Sequence, residues 1–564
     1  MSKVNLIIDG VSVEAESTDT ILVAAKKAGI KIPTLCYLKD VNSDGACRVC
    51  VVEVKGKANL VTSCNNRVSD GMEILTCSEK VLKARKKNVE LLLSNHNKNC
   101  LSCGKNLSCD LQKLSYEFGC NENKYSGAKN EYDIDFSSPC IVRDNSKCIL
   151  CNRCVRVCKD IQATSAIQKQ QRGFTTIVSC AFNKPVTEST CIGCGQCVLV
   201  CPTGALLETS NIKKVMDFMA DPNNIVIAQV APAIRVAINE EFGHPIGTFN
   251  EGKIVTALKR LGFNKVFDVN VGADFTVLEE GAELLERINN NEKLPLFSSC
   301  CPAWVKYVNM HYPDYAKNLS TCKSPNEMMG ALIKSYYAKI NNLDPQNIKV
   351  VSIMPCTAKK QEIVGNNDVD AVLTTRELAT FIKYKNISFN DLPENNFDNP
   401  LGDYSGAGLI FGVTGGVTEA VLRTVADKLT GKDNSNVEFN VVRESEGIKE
   451  INLEVENTKL NICVVHGLKN AQTVMDQIVS GQKQYHFVEF MACPGGCVNG
   501  GGQPFVDYSK YDYLNVSKLR AKGLYEYDAK LKNRKSHKNQ QVNKIYDEFL
   551  LPNKLNKQLL HHKH

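Results

Sequence analysis

The chain has 564 residues, enough for several domains that each bury a core of their own. Its composition, 43% hydrophobic and 23% charged with a formal net charge of +7, is ordinary for globular proteins and argues for no nucleic-acid role. No apolar run is long enough to span a bilayer; the stretch from Ile225 to Ile238 is interrupted by Gln229 and Arg235, so no membrane role is expected.

The outlier is 26 cysteines. The opening MSKVNLIIDG lacks the apolar core of a signal peptide, which predicts a cytoplasmic, reducing location. There, tightly spaced cysteines bind metal rather than form disulfides. Val4–Ile8 and Val11–Ala15 alternate around Asp9-Gly10, the signal of a β-hairpin. A helical run from Thr20 to Ala28 ends at Gly29. Cys36, Cys47, Cys50 and Cys64 follow, four thiolates on loops of a small β-rich domain, suited to a [2Fe–2S] cluster or to zinc. The run KARKK (Lys83–Lys87) reads as a solvated helix face that helps dock an acidic partner.

HNKNCLSCGKNLSC then brings His96 close to Cys100, Cys103 and Cys109, three thiolates and an imidazole for a four-ligand cluster. CILCNRCVRVC supplies Cys148, Cys151, Cys154 and Cys158, and CIGCGQCVLVCP supplies Cys191, Cys194, Cys197 and Cys201. Both are the bacterial two-cluster run, in which the fourth cysteine of each serves the other cluster. Cys148, Cys151, Cys154 and Cys201 therefore make one [4Fe–4S] set, and Cys191, Cys194, Cys197 and Cys158 the second. This part is a wire, which carries electrons without making bonds.

From about Ser210 apolar runs alternate with helical ones: Ile225–Val230 then Ala233–Glu241, Ile348–Met354, and Ala371–Leu373 then Thr375–Lys383. That is α/β with largely parallel sheets. Three motifs stand out: FSSCCPAWVKY with Cys300 and Cys301, SIMPCTAKKQE with Cys356, and MACPGGC with Cys493 and Cys497. Two of them follow an apolar run, and sites in such sheets gather at the carboxyl ends of strands. In VLEEGAELLERI, Glu280, Glu283 and Arg287 share one helix face, which by itself reads as solvated.

These three motifs resemble the signatures of [FeFe]-hydrogenases, and the likeness runs in order along nearly the whole chain, in the arrangement of the monomeric clostridial enzymes. Ser298 stands where the family usually has threonine, and Ala233 where related enzymes often carry serine. The resemblance implies an α/β catalytic domain of two lobes over 210–508, preceded by a β-grasp ferredoxin-like [2Fe–2S] domain over 1–80. A His/Cys₃ [4Fe–4S] domain would span 81–125, a two-[4Fe–4S] ferredoxin-like domain 126–209, and a small-subunit-like segment 509–564. That segment contains KSHKNQQVNKIYDEFL, which reads as an amphipathic helix.

The implied cofactors are one [2Fe–2S] cluster, three [4Fe–4S] clusters and an H-cluster, a [4Fe–4S] cubane joined to a diiron dithiolate bearing CO and cyanide. Its ligands would be Cys301, Cys356, Cys493 and Cys497, with Cys497 bridging to the diiron unit. Cys300 would carry protons, fed through Glu280, Ser320 and Glu283 with Arg287 at the outer end. Lys359 would hydrogen-bond a cyanide, as would backbone donors near Pro232; Met354, Met491 and Phe411 would pack around the subsite. The implied reaction is reversible reduction of protons to H2 with electrons from ferredoxin or flavodoxin, after maturation proteins install the diiron unit. The rival readings are an electron-transfer subunit like that of respiratory complex I, which accounts only for the first 210 residues, and a hydrogenase-like sensor or assembly protein without turnover. Cys77, Cys120, Cys140, Cys180, Cys322 and Cys463 take no assigned role.

Overall fold

The computed structural model describes residues 2–121, 123–433, 438–443, 447–455 and 458–562. Asp9 and Gly10 both take positive φ, which lets Lys3–Ile8 and Val11–Glu16 pair as a tight hairpin. Val4, Leu6 and Ile8 alternate inward and join a five-stranded sheet with Val51–Val54, Val61–Thr62 and Glu73–Leu75. Helix Ile21–Lys27 lies over it, its first turn held by the Thr20 hydroxyl, which accepts from Val23 N–H. Cys36, Cys47 and Cys50 lie on the loop after this helix and Cys64 on the loop after Val61–Thr62.

Helix Glu79–Ser94, capped by Ser78, leads to the His96 loop. KARKK lies on it but is not one solvated face. Arg85 is buried and donates from Nη2 to the Val51 carbonyl at 2.9 Å, while Lys83 pairs with Glu79 at the surface. A run of basic residues spans all sides of a helix, so one of them had to face the neighbouring sheet.

In the ferredoxin-like domain, each cysteine run enters a short helix, Arg153–Arg156 or Gln196–Val200, through a left-handed residue: Asn152 in the first, Gly195 in the second. Strands Ile141–Arg143 and Leu206–Glu208 pair antiparallel and tie the ends of the domain together.

Two four-stranded sheets carry the catalytic region. The first, in order Lys265–Asp268, Ile225–Val230, Ile348–Met354 and Ala371–Thr374, is parallel throughout. The second runs Leu296–Phe297, Phe487–Met491, Thr458–His466, Ile448–Val455, parallel except for the last pair. Both strand assignments made from the apolar runs Ile225–Val230 and Ile348–Met354 match the observed strands. The helix expected over Ala233–Glu241 is replaced by two separate tight turns, Pro232–Ile234 and Ile238–Phe242. Arg235, fully buried between them, donates to Glu251 and Asp268, and holds the chain in this broken path.

The last fifty residues wrap the catalytic region. Helix Val516–Asp528 is anchored by Arg520 to Glu240 at 2.7 Å and by Asp528 to the buried Arg423 at 2.8 Å. The expected helix over KSHKNQQVNKIYDEFL begins five residues late, at Gln540, and continues as a wider coil over Tyr546–Leu550. Asn539 sets that start: its side-chain oxygen accepts from Gln541 and Val542 N–H, and its amide donates to buried Asp274 and to the Asp403 carbonyl. Replacing Asn539 with Ala should weaken docking of this segment by about 1–3 kcal/mol. Limited proteolysis would show faster cleavage after Asp528 in the variant; cleavage at the wild-type rate would contradict this account of the segment.

Candidate hydrogen-activating site

The three cysteine motifs leave the carboxyl ends of strands in both sheets. Leu296–Phe297 leads to Cys300 and Cys301, Ile348–Met354 to Cys356, and Phe487–Met491 to Cys493 and Cys497. The third strand escaped the sequence reading because Glu489 and His486 interrupt its apolar run. Glu489 is fully buried at the start of helix Gly416–Thr430, where its carboxylate accepts from Gly415 and Thr418 N–H at 2.7 Å.

The four cysteines converge. Cys301 and Cys356 pack into one apolar cluster with Trp304 and Phe490, whose rings stack at 3.8 Å, and Cys300 and Cys497 pack into the next with Met491 and Phe411. Burial, then the charges of Cys356, Cys301 and their neighbours, push the Cys493 and Cys497 thiols well up; burial and Cys301 push Cys356 up to about 12. Thiolates crowded in this way need a cationic centre to become anionic, and sulfur donors select iron–sulfur chemistry or zinc. The donor set therefore fits an iron–sulfur cubane.

The glycines after Cys497 fit the same need. A Cβ at Gly500 would collide with the Pro355 carbonyl, one at Gly501 with the Cys194 carbonyl and Gly195, and one at Gly502 with Thr374. Pro232 and Met354 are buried at the ends of their own strands in the first sheet, and Ala233 offers its carbonyl to Gln503 Nε2 at 3.1 Å. Lys359 Nζ is held by Glu362 at 2.6 Å and reaches the Cys300 carbonyl at 3.2 Å. Burial opposes its charge, but Glu362 and then Glu327 outweigh burial and keep the ammonium above its ordinary value. Asn326 Nδ2 donates to the other oxygen of Glu362 at 2.9 Å and fixes the pair. Phe490 N–H donates to Ser298 Oγ, so the serine in place of threonine keeps the hydroxyl contact.

Glu280, Glu283 and Arg287 sit on the long helix Val269–Asn290 and are not a solvated face. Ser320 Oγ donates to Glu283 Oε2 at 2.8 Å, and Arg287 holds Glu283 Oε1 at 2.5 Å. Glu280 is 2% exposed; burial and then the Glu283 carboxylate push it up to about 8, with Ser320 as a hydrogen-bond partner. Burial, followed by Glu280, pushes the Cys300 thiol up as well. Cys322, unassigned from sequence, has its Sγ 4.0 Å from Glu283 Oε2 and lies beside this line of groups.

Several of the N-terminal cysteines also lie close to their expected partners. Cys36 hydrogen-bonds Cys47, and Cys50 hydrogen-bonds Cys64. One cavity is lined by Cys148, Cys151, Cys154 and Cys201, the crossed grouping expected from the two-run spacing. His96 is buried with Nδ1 lacking a protein partner, and burial lowers it to about 4, leaving a neutral imidazole that suits metal ligation. Asn42 Nδ2 donates to the carbonyls of Cys36 and Cys151 at 2.7 and 3.0 Å and joins the first cysteine domain to the third. The Thr357 hydroxyl donates to the Gly193 carbonyl at 2.7 Å and joins the cysteine run at 191–201 to the loop of Cys356.

Comparison with known proteins agrees with this geometry. Residues 224–501 match the C-terminal domain of the iron-only hydrogenase large subunit, and 514–564 match the iron hydrogenase small subunit. A 2Fe-2S cluster binding domain matches 1–79, an NADH-ubiquinone oxidoreductase-G iron-sulfur binding region 85–124, and a 4Fe-4S dicluster domain 147–205. The NADP-reducing hydrogenase subunit HndD of Solidesulfovibrio fructosivorans is 44% identical across 98% of this chain and 96% of its own length. Iron hydrogenase 1 of Clostridium pasteurianum is 41% identical across 96% of each. A solved apo form of the [FeFe]-hydrogenase HydA1 from Chlamydomonas reinhardtii superposes with a TM-score of 0.55 at 36% identity, over 63% of this chain and 98% of that one. The fold and site define an iron–sulfur oxidoreductase. The chain belongs to the [FeFe]-hydrogenase family, with iron–sulfur domains at its N-terminus. Among the described residues no helix is long and apolar enough to cross a membrane.

With Glu280 raised to about 8, its carboxyl is protonated at neutral pH. Infrared spectra at pH 7 should contain a protonated-carboxyl C=O band that is missing in Glu280→Gln and fades in the wild type as pH rises through about 8. An identical band in the variant would show that Glu280 is ionised.

Proposed function

We propose that this chain reversibly reduces protons to H2 with electrons from an acidic ferredoxin or flavodoxin, passed along one [2Fe–2S] and three [4Fe–4S] clusters to an H-cluster. The observation that carries this reading is the meeting of Cys301, Cys356, Cys493 and Cys497 beside a thiol, Cys300, that is backed by buried Glu280. An electron-relay subunit has no use for that pairing of a cluster site with a buried acid. Cys301, Cys356, Cys493 and Cys497 would hold the cubane, and Cys497 would bridge to the diiron unit; when bound, that group supplies the redox chemistry and the open metal position.

The chain's own residues do the rest. Lys359, fixed by Glu362, presents a charged donor at the rim of the pocket, where an anionic metal ligand would accept it. Pro232, Met354, Met491 and Phe411 exclude water. Glu283 and Ser320 move protons to Glu280, and Glu280 to Cys300, whose thiol gives up its proton at Sγ and is recharged from behind. His96 with Cys100, Cys103 and Cys109, and Cys36 with Cys47, Cys50 and Cys64, would hold the two outer clusters.

A second reading of the electron donor rests on the 44% identity to the subunit HndD. In that reading the chain is the hydrogen-activating part of an assembly whose other subunits handle a nicotinamide cofactor. The isolated chain would then turn over with reduced viologen but poorly with ferredoxin.

Infrared spectroscopy of the matured protein should show CO and cyanide stretching bands, together with H2 evolution from reduced viologen. Absence of both defeats the hydrogenase reading. Glu283→Gln should keep those bands and lower turnover by about 100-fold or more, the usual worth of a positioned proton carrier; wild-type turnover would remove Glu283 from the path. If ferredoxin is the partner and the exposed Lys83 and Lys87 help to dock it, its KM should rise with salt.

A further inference from the structure

The end of the chain closes over the outer part of the proton path. Lys323 N–H donates to the Leu560 carbonyl and His562 N–H to the Thr321 carbonyl, each at 2.9 Å, so Leu560–His562 lies as an added strand along Thr321–Lys323. This clamp sets the His561 ring between two elements. Its Nδ1 is 3.0 Å from Thr321 Oγ1 and its Nε2 is 3.2 Å from Glu279 Oε2. Thr321 Oγ1 is also 3.2 Å from Glu283 Oε2, the carboxylate that Ser320 and Arg287 hold. The His561 side chain is 25% exposed, against 12% for Glu283 and 8% for Arg287.

We propose that His561 is the outer proton relay of this enzyme, taking protons from water and handing them through the Thr321 hydroxyl to Glu283. The proposal rests on the role of Glu283 and Cys300 in the hydrogenase reading. The network has two complete hydrogen-bond arrangements that differ in where one proton lies. With a neutral ring, Nε2–H donates to Glu279 and Nδ1 accepts from the Thr321 hydroxyl. With a cationic ring, both nitrogens donate and the Thr321 hydroxyl turns to Glu283. Passage from the second to the first moves the Nδ1 proton to Thr321 Oγ1 while the hydroxyl's own proton goes to Glu283 Oε2. The histidine is left neutral, Glu283 protonated and Thr321 unchanged, and water then recharges the exposed ring.

The ring shares its carboxylate partner with other groups. Glu279 is the anion facing the ring, and Tyr546 and Lys557 of the terminal segment also contact it, at 2.5 and 3.1 Å. Lys428 adds a more distant positive charge beside Glu279 and Lys557. Arg287, Glu280 and Cys322, the last at 4.0 Å from Glu283, are further titratable or charged groups beside the path, and Lys323, paired with Asp368, and His562, 3.8 Å from Glu327, flank the clamp. Glu279 is thus shared by the His561 ring, the Tyr546 hydroxyl and the Lys557 ammonium.

The test uses the matured holoenzyme. The S–H stretching band of Cys300, identified by its absence in Cys300→Ala, is followed after mixing into D2O buffer, alongside H2 evolution. His561→Gln can keep both hydrogen bonds but cannot carry the extra proton, and Thr321→Val removes the hydroxyl with little change of shape. Both should slow thiol exchange and turnover on the order of tenfold, leaving a slower leak past Arg287. Added imidazole should restore His561→Ala and leave Thr321→Val slow. Exchange at the wild-type rate in His561→Gln and Thr321→Val would overturn the proposal. Missing CO and cyanide bands in the wild type would instead strike the hydrogenase reading, because exchange at the thiol does not depend on them.

Discussion

The structure depends on one backbone contact. Gly501, in the glycine run after Cys497, lies against Gly195 and the Cys194 carbonyl so closely that neither glycine has room for a side chain. The two cysteine runs of the ferredoxin-like domain show why this matters. Both need left-handed residues at equivalent places, and the first uses Leu150 and Asn152. The second uses Gly193 and Gly195, although the same φ is reached without glycine in its twin. The difference lies in what approaches: a Cβ at Gly195 would meet Thr357 and Gly501, and one at Gly193 would meet Cys140. Glycine here is a matter of distance more than of conformation. Electron transfer weakens exponentially with separation, so a domain boundary closed to backbone contact is what allows a wire to end at a catalytic centre.

The same closeness sets the electrostatics. Five sulfurs in the catalytic region and the thiols of the 191–201 run lie partly or fully buried, and every one that shifts does so upward. A protein that crowds potential anions in this way is arranged around the positive charge of iron. Lys359 fits the arrangement because two carboxylates, Glu362 and Glu327, keep it charged without water. For Glu280, burial and the repelling Glu283 carboxylate outweigh the Ser320 hydrogen bond and the more distant Arg287, and so it stays protonated. Two buried groups a short way apart thus take opposite roles, a fixed cation and a movable proton, through their partners alone.

Much of this was legible in the chain. Cysteine spacing gave the grouping now seen around the cavity of Cys148, Cys151, Cys154 and Cys201. Apolar runs marked two strands of the first sheet to the residue, since those strands are covered on both faces. What failed did so for physical reasons. Phe487–Met491 hid behind Glu489, a carboxylate buried only because a helix start receives it. The Ala233–Glu241 stretch has a helical pattern, but Arg235 is drawn to Glu251 and Asp268, and a long-range ion pair overrides local preference. Arg85 in KARKK is indistinguishable from its neighbours until the strand Val51–Val54 stands beside it. Family resemblance reversed the plain reading of Glu280, Glu283 and Arg287 as a solvated face; the burial that explains the reversal comes from chain segments far away in sequence.

One of those segments is the terminal wrap, and its anchoring shows what it is for. It packs Leu524, Val542, Ile545, Phe549, Leu550 and Leu560 into the apolar clusters of the catalytic region and adds polar ties: Asp528 to Arg423, Arg520 to Glu240, Asn539 to Asp274, and Tyr546 and His561 to Glu279. Each removes an ionisable group from water and balances it with a partner on the catalytic side. The partners of the last two lie on the helix Val269–Asn290, which also carries Glu280, Glu283 and Arg287. The tail therefore covers the helix that carries Glu280, Glu283 and Arg287, with the His561 side chain 25% exposed at the edge of that cover.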